Sequence, residues 1–477
     1  MKSITPYHSL LLLVVIGLAS LFMQLTWPKE GIGFGTWKLQ FAQFDKGIDS
    51  TQIKLDMQSH MARLDSIALA DSLRSLHDSV HVERSNSLTS LQFKDGNSHS
   101  FHRFFEALDS AQFKNVDVLH YGDSQIECDR ITQILRTQLQ QKFGGYGPGL
   151  IAPVPLVATS HILQDKSANW QRCTAYGYQD GSVNHKNFGI MCSFGKFDCP
   201  HPTDSTEATL EFMPTRFGDA RNKTFHQFRM YYRNTVSKSS LSMYDGAKLI
   251  WSGDLPVSNQ VQHVDASFDA APSQLKLVFK ALNSPEVHAI QLEEQSGVTV
   301  SNISLRGNDG MLFTRTDLNA MGYAYQRENT RLIILQFGGN SVPYIKSAEQ
   351  AKSCAASMAN QINALKKQAP EAAILFVGPS DMSTSIDGVY QSFPYLQNYN
   401  QALKEMVLGL DCAYWDMYEV MGGRNSMVSW VQNQPPYAGP DYIHFTPLGA
   451  RKIADLLSKA ILEEYRIWKQ VKETQVR

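Results

Sequence analysis

The sequence lacks an excess of charge of either sign, and it lacks any long basic stretch. Lys and Arg number 44 against 45 Asp and Glu, so the formal net charge is −1 at pH 7. Proteins that bind nucleic acid carry a basic face that neutralises phosphates, so we expect no nucleic-acid partner. Hydrophobic residues make up 43% of the 477 residues, which is enough for two or three domains with ordinary cores.

Cysteine is also scarce. Six cysteines in a chain this long are too few for a disulfide scaffold, and their spacing fits no zinc pattern. Cys192 and Cys199 are close enough in sequence to close a small loop in an oxidising compartment, a pairing that the sequence leaves open. The six are Cys128, Cys173, Cys192, Cys199, Cys354 and Cys412.

The amino-terminal segment, 1–27, contains a long apolar run from Leu10 to Trp27. Its length is near the lower limit of about 18 residues for spanning a bilayer. An uncleaved signal anchor is favoured over a cleaved signal peptide, because Leu21–Met23 carry the apolar run past the poor cleavage region Ala19-Ser20. Either way, we expect export to the cell envelope, on the periplasmic side, with the membrane as a partner of this segment.

Residues 28–95 are predicted to form a helical stalk or linker. Leu69, Leu73, Leu76 and Val80 recur at helical spacing among polar residues. The pattern fits a short coiled coil, an arm packed on the main domain, or a solvated spacer.

Two flanking parts, residues 96–155 and 306–477, alternate buried strands with helices. Apolar runs such as Leu332–Phe337 and Ala373–Val377 are typical of strands covered on both faces of a parallel sheet. Helical spacing follows each of them. The fold class is therefore α/β, with a doubly wound (flavodoxin-like) parallel sheet built from both parts.

Residues 156–305 show strand-like alternation instead, which predicts an inserted β-sandwich or jelly-roll domain. Asp245-Gly246 marks a hairpin within it. Four of its aromatic residues are candidates for stacking on sugar rings, although at β spacing they are more often core residues. They are Trp170, Tyr231, Tyr232 and Trp251.

The stretch Gly122-Asp123-Ser124 lies between a predicted strand and a predicted helix. Ligands bind at this edge of open α/β sheets, and the start of a helix offers unpaired N–H groups for developing negative charge. The alternative is structural, because Ser124-x-x-Glu127 has the spacing of a capping box.

Three further motifs follow in order along the chain: Gly307-Asn308-Asp309-Gly310, Gly338-Gly339-Asn340 and Asp441-x-x-His444. Together with the Ser124 motif they resemble the four sequence blocks of the SGNH (GDSL-type) hydrolase superfamily. The resemblance covers roughly 96–155 and 306–477. Ser341 departs from the family pattern, which usually has Asp or Glu after the asparagine.

The resemblance implies a Ser-His-Asp triad. Ser124 is the nucleophile, His444 is the base that takes its proton, and Asp441 orients the imidazole and stabilises its charged form. A serine hydroxyl needs such a base because it is a poor nucleophile by itself.

The resemblance also implies an oxyanion hole. Its donors are the N–H of Ser124, the N–H of Gly310, with Gly307 as the substitute, and the side-chain amide of Asn340. Asp123 is interpreted as a local hydrogen-bonding support. The scheme requires no metal and no organic cofactor.

The layout resembles the peptidoglycan O-acetylesterase branch of that superfamily, which carries a carbohydrate-binding-like β domain between the first and second blocks. The expected function is a serine esterase that removes O-acetyl groups from a cell-envelope polysaccharide, with peptidoglycan the leading candidate. Two alternatives stay open: a polysaccharide O-acetyltransferase with the same triad, and a catalytically inactive glycan-binding envelope protein.

Overall fold

The computed structural model describes residues 32–34, 37–39, 89–159, 161–177, 181, 183–201 and 203–475. The chain divides into two compact units, Met1–Glu83 and Arg84–Arg477. The predicted anchor and most of the predicted stalk lie outside the described residues. Within the described part, no helix is both long enough and apolar enough to cross a membrane.

The first unit contributes an antiparallel hairpin of β1 (Ile32–Phe34) and β2 (Trp37–Leu39). The strands of the second unit are β3 (Asn115–Gly122), β4 (Gly149–Ile151), β5 (Ile162–Lys166), β6 (Trp170–Thr174), β7 (Ser193–Phe197), β8 (Thr206–Pro214), β9 (Gln227–Arg233), β10 (Ser239–Asp245), β11 (Lys248–Leu255), β12 (Gln262–Ser267), β13 (Leu275–Ala281), β14 (Glu286–Glu293), β15 (Gly297–Ser304), β16 (Thr330–Gln336), β17 (Ala373–Val377), β18 (Ser383–Ile386), β19 (Val389–Ser392) and β20 (Ala413–Trp415). Its α-helices are α1 (His102–Asp109), α2 (Thr132–Phe143), α3 (Leu318–Arg327), α4 (Ala348–Gln368), α5 (Leu396–Gly409), α6 (Met417–Met421), α7 (Ser426–Gln432) and α8 (Pro447–Gln475).

Five parallel strands form the central sheet in the order β15–β3–β16–β17–β20. The first strand of this sheet along the chain therefore lies second in space, which is the flavodoxin-like doubly wound order. β17 is buried along its whole length because helices cover both faces of the sheet. The predicted α/β fold class is confirmed.

The boundaries of the hydrolase domain differ from the prediction at three places. β4 lies within the range predicted for the hydrolase domain, 96–155, but it pairs with β14 of the sandwich. β15 was assigned to the insertion, but it pairs with β3 in parallel from Gly297 to Ser304. Alternation of apolar and polar residues along β15 does not distinguish an edge strand of the parallel sheet from a sandwich strand. At the other boundary, Leu91 and Phe93 are buried in the core under the parallel sheet, so the domain begins before residue 96.

The insertion is a sandwich of two antiparallel sheets. One sheet has the order β11–β10–β13–β8–β5 and the other has the order β12–β9–β14–β7–β6, with β4 added beside β14. Trp170 and Tyr232 lie buried in the core between the sheets, Tyr231 is buried against the hydrolase domain, and Trp251 is half-buried. These aromatic residues are therefore packing residues, as their β spacing favoured.

The sandwich packs directly on the hydrolase domain. The hydroxyl of Tyr121 on β3 donates to the carbonyl of Ile190 at 2.9 Å. Arg229 of the sandwich and the buried Glu328 form an ion pair at 2.9 Å. Since these contacts are buried, the two parts form one compact unit.

Candidate active site

The turn after β3 presents Ser124 at the carboxyl edge of the parallel sheet. Asp123 caps a 3₁₀ helix over Ser124–Asp129, and its Oδ1 accepts a hydrogen bond from the N–H of Gln125 at 2.9 Å. Glu127 has an extended backbone. The capping role thus falls to Asp123, and the hydroxyl of Ser124 is left for another partner.

That partner is His444. The distance from Ser124 Oγ to His444 Nε2 is 2.8 Å, and the distance from His444 Nδ1 to Asp441 Oδ2 is 2.7 Å. Oδ1 of Asp441 accepts hydrogen bonds from the N–H groups of Ile443 and His444, each at 3.0 Å. The structure therefore brings the three predicted triad residues into one hydrogen-bonded chain, although Ser124 and His444 are separated by 320 positions.

The environment of Asp441 favours its charged form. Partial burial opposes ionisation, but hydrogen bonds from the His444 side chain and from the N–H groups of His444 and Ile443 outweigh it and lower the pKa of Asp441. The side chains of His444 and Asp441 are 38% and 48% exposed. The pair therefore combines a stable carboxylate with an imidazole that solvent can reach.

Asn340 lies beside the nucleophile turn. It follows β16 in the 3₁₀ helix Gly339–Tyr344 and lines the same cleft as Ser124 and His444. Its Nδ2 donates one hydrogen bond to the carbonyl of Asn308 at 3.0 Å and a longer one to Asp123 Oδ2 at 3.4 Å. These contacts fix the amide beside the nucleophile turn.

The structure does not support Gly310 as a donor to the oxyanion. Its N–H already donates to Asn308 Oδ1 at 2.7 Å, and an added Cβ would meet Met358 and Phe337, which places it against the core. Gly307 is exposed and lines the cleft instead. Sequence spacing could not choose between the two glycines, because a tight turn at 305–308 decides which N–H faces the cleft.

Asp123 is buried beside the nucleophile. Burial raises the pKa of its carboxyl to about 6, while the hydrogen bond from the backbone of Gln125 and the charge of His444 act in the opposite direction. Its two oxygens contact Gln125 and Asn340. This geometry agrees with a supporting role for Asp123.

Gln125 was not singled out as a site residue from the sequence. Its Nε2 donates to the carbonyl of Ile443 at 2.7 Å, and its Oε1 accepts from the N–H of Phe445 at 3.4 Å. The side chain therefore ties the nucleophile turn to the backbone on both sides of His444. In the sequence, the one indication of this role is that Gln125 directly follows Ser124.

A buried network behind the nucleophile turn was also missed. Arg136 of α2 forms two hydrogen bonds to Asp129, at 2.7 and 3.2 Å, and a third to Asn222 at 2.8 Å. Cys128 and Asp129 both have left-handed backbone conformations, with φ of 58° and 62°. Such conformations are strained for residues other than glycine, so neighbouring contacts must hold them.

The remaining candidate residues have structural surroundings. His120 is buried between Gln336 and Thr132, His161 contacts Asp129, and His185 contacts Glu286. All six cysteines are free, so the open question of a Cys192–Cys199 bond is answered against pairing. Over the described ranges, no group of three or more His, Cys, Asp or Glu side chains is placed to hold a metal ion.

Ser124, His444 and Asn340 share an open cleft with a volume of about 550 Å³. One wall is apolar and includes Phe337, Met382 and the exposed Tyr344. An activated hydroxyl, an adjacent imidazole and amide donors in an open cleft suit acyl transfer to water or to another hydroxyl.

Comparison with known proteins gives a family match and likenesses to solved structures. The GDSL-like Lipase/Acylhydrolase family model matches residues 281–452, a range that includes Asn340, Asp441 and His444 but not Ser124. A solved peptidoglycan O-acetylesterase aligns with a TM-score of 0.61 and 18% identity, covering 79% of this chain and 99% of that chain. No curated protein matches the sequence.

Two further solved structures align with much lower TM-scores. The acetyl xylan esterase AlAXEase has a TM-score of 0.25 and 17% identity, and the match covers 34% of this chain and 81% of that chain. A family two carbohydrate esterase from Cellvibrio japonicus has a TM-score of 0.25 and 9% identity, with 64% and 99% covered.

Proposed function

We propose that this chain, a carboxylic ester hydrolase of the SGNH (GDSL-type) superfamily, removes O-acetyl groups from a cell-envelope polysaccharide, with peptidoglycan the leading candidate. The observation that carries the proposal is the continuous hydrogen-bonded chain from Ser124 through His444 to Asp441. The similarity in fold to a solved peptidoglycan O-acetylesterase supports the choice of substrate.

The reaction proceeds in two acyl-transfer steps. Ser124 Oγ attacks the acetyl carbonyl while His444 Nε2 accepts its proton, and the same proton passes to the sugar oxygen as the ester bond breaks. A water molecule then attacks the acetyl-serine and loses a proton to His444, which returns that proton to Ser124 Oγ as the acyl–Oγ bond breaks and acetate leaves. Asp441 holds the Nδ1–H of the imidazole throughout and stabilises its charged form.

Negative charge develops on the carbonyl oxygen in both steps. We assign its donors as the N–H of Ser124, the N–H of Gly307 and Nδ2 of Asn340, and these three residues line the cleft. Asn340 Nδ2 donates to the oxyanion by giving up its long 3.4 Å hydrogen bond to Asp123 while it keeps the 3.0 Å bond to Asn308. This assignment replaces Gly310, whose N–H is already bonded to Asn308.

We place the enzyme in the cell envelope, with its catalytic unit on the periplasmic side. This proposal depends on the apolar run from Leu10 to Trp27, which favours a membrane anchor over a cleaved signal peptide. An enzyme acting on a wall polymer must be exported, so the location and the proposed substrate agree with each other.

Asn340→Ala is expected to lower kcat for p-nitrophenyl acetate about 100- to 1,000-fold, because one oxyanion donor is lost. The KM should change little, since the donor acts mainly on the transition state. Steady-state kinetics on the purified variant, with thermal unfolding as the check on folding, measure this. A decrease in kcat of less than about fivefold would show that Asn340 does not donate to the oxyanion.

The function itself is tested by release of free acetate from O-acetylated peptidoglycan. The purified full-length chain should release acetate, and Ser124→Ala should release none. If no acetate appears but a fluorophosphonate probe labels Ser124, the site is competent and the substrate is another acetylated glycan or an acceptor hydroxyl. Acetylated product in the presence of a glycan acceptor would identify a transferase, and no labelling at all would identify an inactive binding protein.

A further inference from the structure

The rim of the catalytic cleft carries two arginine side chains. Arg306 and Arg130 line the cleft together with Ser124 and His444. Arg306 directly precedes Gly307, the glycine that we assign to the oxyanion hole. A group bound at Arg306 would therefore lie beside the reacting ester.

A buried glutamate holds Arg306 in place. Glu127 Oε2 and Arg306 Nη2 form an ion pair, in which the side chain of Glu127 is only 7% exposed and that of Arg306 is 54% exposed. Both residues line the cleft, but the guanidinium is the solvent-exposed member of the pair and the carboxylate is almost fully buried. The accessible charge of this pair is therefore positive.

The glutamate is itself well fixed. Arg130 Nε donates to the carbonyl of Glu127 at 2.9 Å, and Arg130 Nη1 reaches the carbonyl of Phe445 at 3.4 Å. The strained residues that follow Glu127 are held by the buried Arg136–Asp129 pair. Arg306 thus rests on a rigid support, which lowers the entropy lost when it binds a ligand.

Most of the hydrogen-bonding capacity of Arg306 is unused. Glu127 is the one side-chain partner of its guanidinium among the described residues, and it engages a single nitrogen. A guanidinium has five N–H donors in a planar fork that matches a carboxylate. Several donors therefore remain for an anionic group in the cleft.

We propose that Arg306 anchors a carboxylate of the substrate beside the acetyl ester, so that the enzyme selects acidic glycans over neutral ones. This inference rests on the proposed function and specifies its substrate class. The carboxylate belongs either to the sugar itself or to a peptide attached to the glycan, and both present the same planar anion to the guanidinium.

The test uses a pair of substrates that differ in one carboxylate, O-acetylated glucuronate and O-acetylated glucose. The wild type is expected to have the higher kcat/KM on the glucuronate, and Arg306→Gln should lower the ratio of the two values about tenfold or more. The loss should fall mainly on KM for the acidic substrate, and Arg306→Lys should restore part of the ratio. Arg103→Gln removes an exposed arginine that is paired with Glu371 outside the cleft, and it should leave the ratio unchanged.

An equal loss on both substrates would overturn the proposal, because it would make Arg306 a support for the neighbouring oxyanion loop. An unchanged ratio would overturn it as well. Ser124-dependent cleavage of both substrates with no preference contradicts the anchor and leaves the esterase proposal standing. Cleavage of neither also contradicts the anchor, because a bound carboxylate should make the glucuronate a substrate, and the esterase proposal is then decided separately by acetate release from O-acetylated peptidoglycan. O-acetylated glycan strands with and without their peptides then identify the source of the carboxylate.

Discussion

Ser124→Ala is expected to lower kcat for acetyl ester cleavage by on the order of 10⁴- to 10⁶-fold. The substitution removes the only atom that forms the acyl-enzyme, and water cannot take its place at the same distance from His444. What remains is transition-state binding by the oxyanion donors, so some acceleration over the reaction in water should persist. Kinetics with p-nitrophenyl acetate and active-site titration measure the loss.

His444→Ala should reduce kcat by a similar factor, and the double variant should be scarcely worse than either single one. The reason is that nucleophile and base act as one unit, linked by the 2.8 Å hydrogen bond between Oγ and Nε2. Both variants should keep the thermal unfolding midpoint of the wild type within a few degrees, since the site is partly exposed. Retained turnover in a folded Ser124→Ala variant would end the triad hypothesis.

Arg136→Met is expected to cost about 3 to 5 kcal/mol of the free energy of unfolding. Arg136 is among the largest fully buried side chains, and its removal leaves the carboxylate of Asp129 buried without its principal partner. In the wild type, burial lowers the pKa of the neighbouring His161 to about 4, so Arg136 and not His161 supplies the positive charge beside Asp129 near pH 7. Urea denaturation followed by circular dichroism gives the free energy.

The same substitution should also lower kcat, because Asp129 belongs to the turn that presents Ser124. Asp129→Asn in the Arg136→Met background is expected to recover part of the lost stability, since asparagine tolerates the left-handed backbone and carries no charge. Arg103→Met is the surface control and should change stability by less than about 1 kcal/mol. Equal stability losses for Arg136→Met and Arg103→Met would show that the buried network does not stabilise the fold.

Local sequence patterns predicted the elements that present the site. Continuous apolar runs such as Ala373–Val377 mark buried parallel strands, and the strand at 373–377 begins and ends where it was predicted. The spacing of apolar residues also predicts a helix from about Leu396 to Leu408, and α5 ends one residue later, at Gly409. Such elements can be predicted from the sequence because side-chain periodicity depends on the few residues next to each position.

Contacts between elements that are distant in sequence could not be predicted from local patterns. The alternation along Gly297–Ser304 fits either sheet, and pairing with β3 decides that this strand lies at the edge of the parallel sheet. Likewise, Gly307 and Gly310 stand three residues apart in one motif, and only the turn that bonds Asn308 to Leu305 shows which N–H is free.

The sequence by itself determined the α/β fold class, the inserted sandwich and the identity of Ser124, Asp441 and His444 as candidates, because these depend on residue type and local spacing. The tertiary structure alone decided the supports of the site: the Gln125 clamp, the buried Arg136–Asp129 pair and the Glu127–Arg306 pair. The members of these contacts come from different elements of the hydrolase domain. Polar residues of this kind carry no periodic signal, so their partners are set only when folding brings them together and removes them from water.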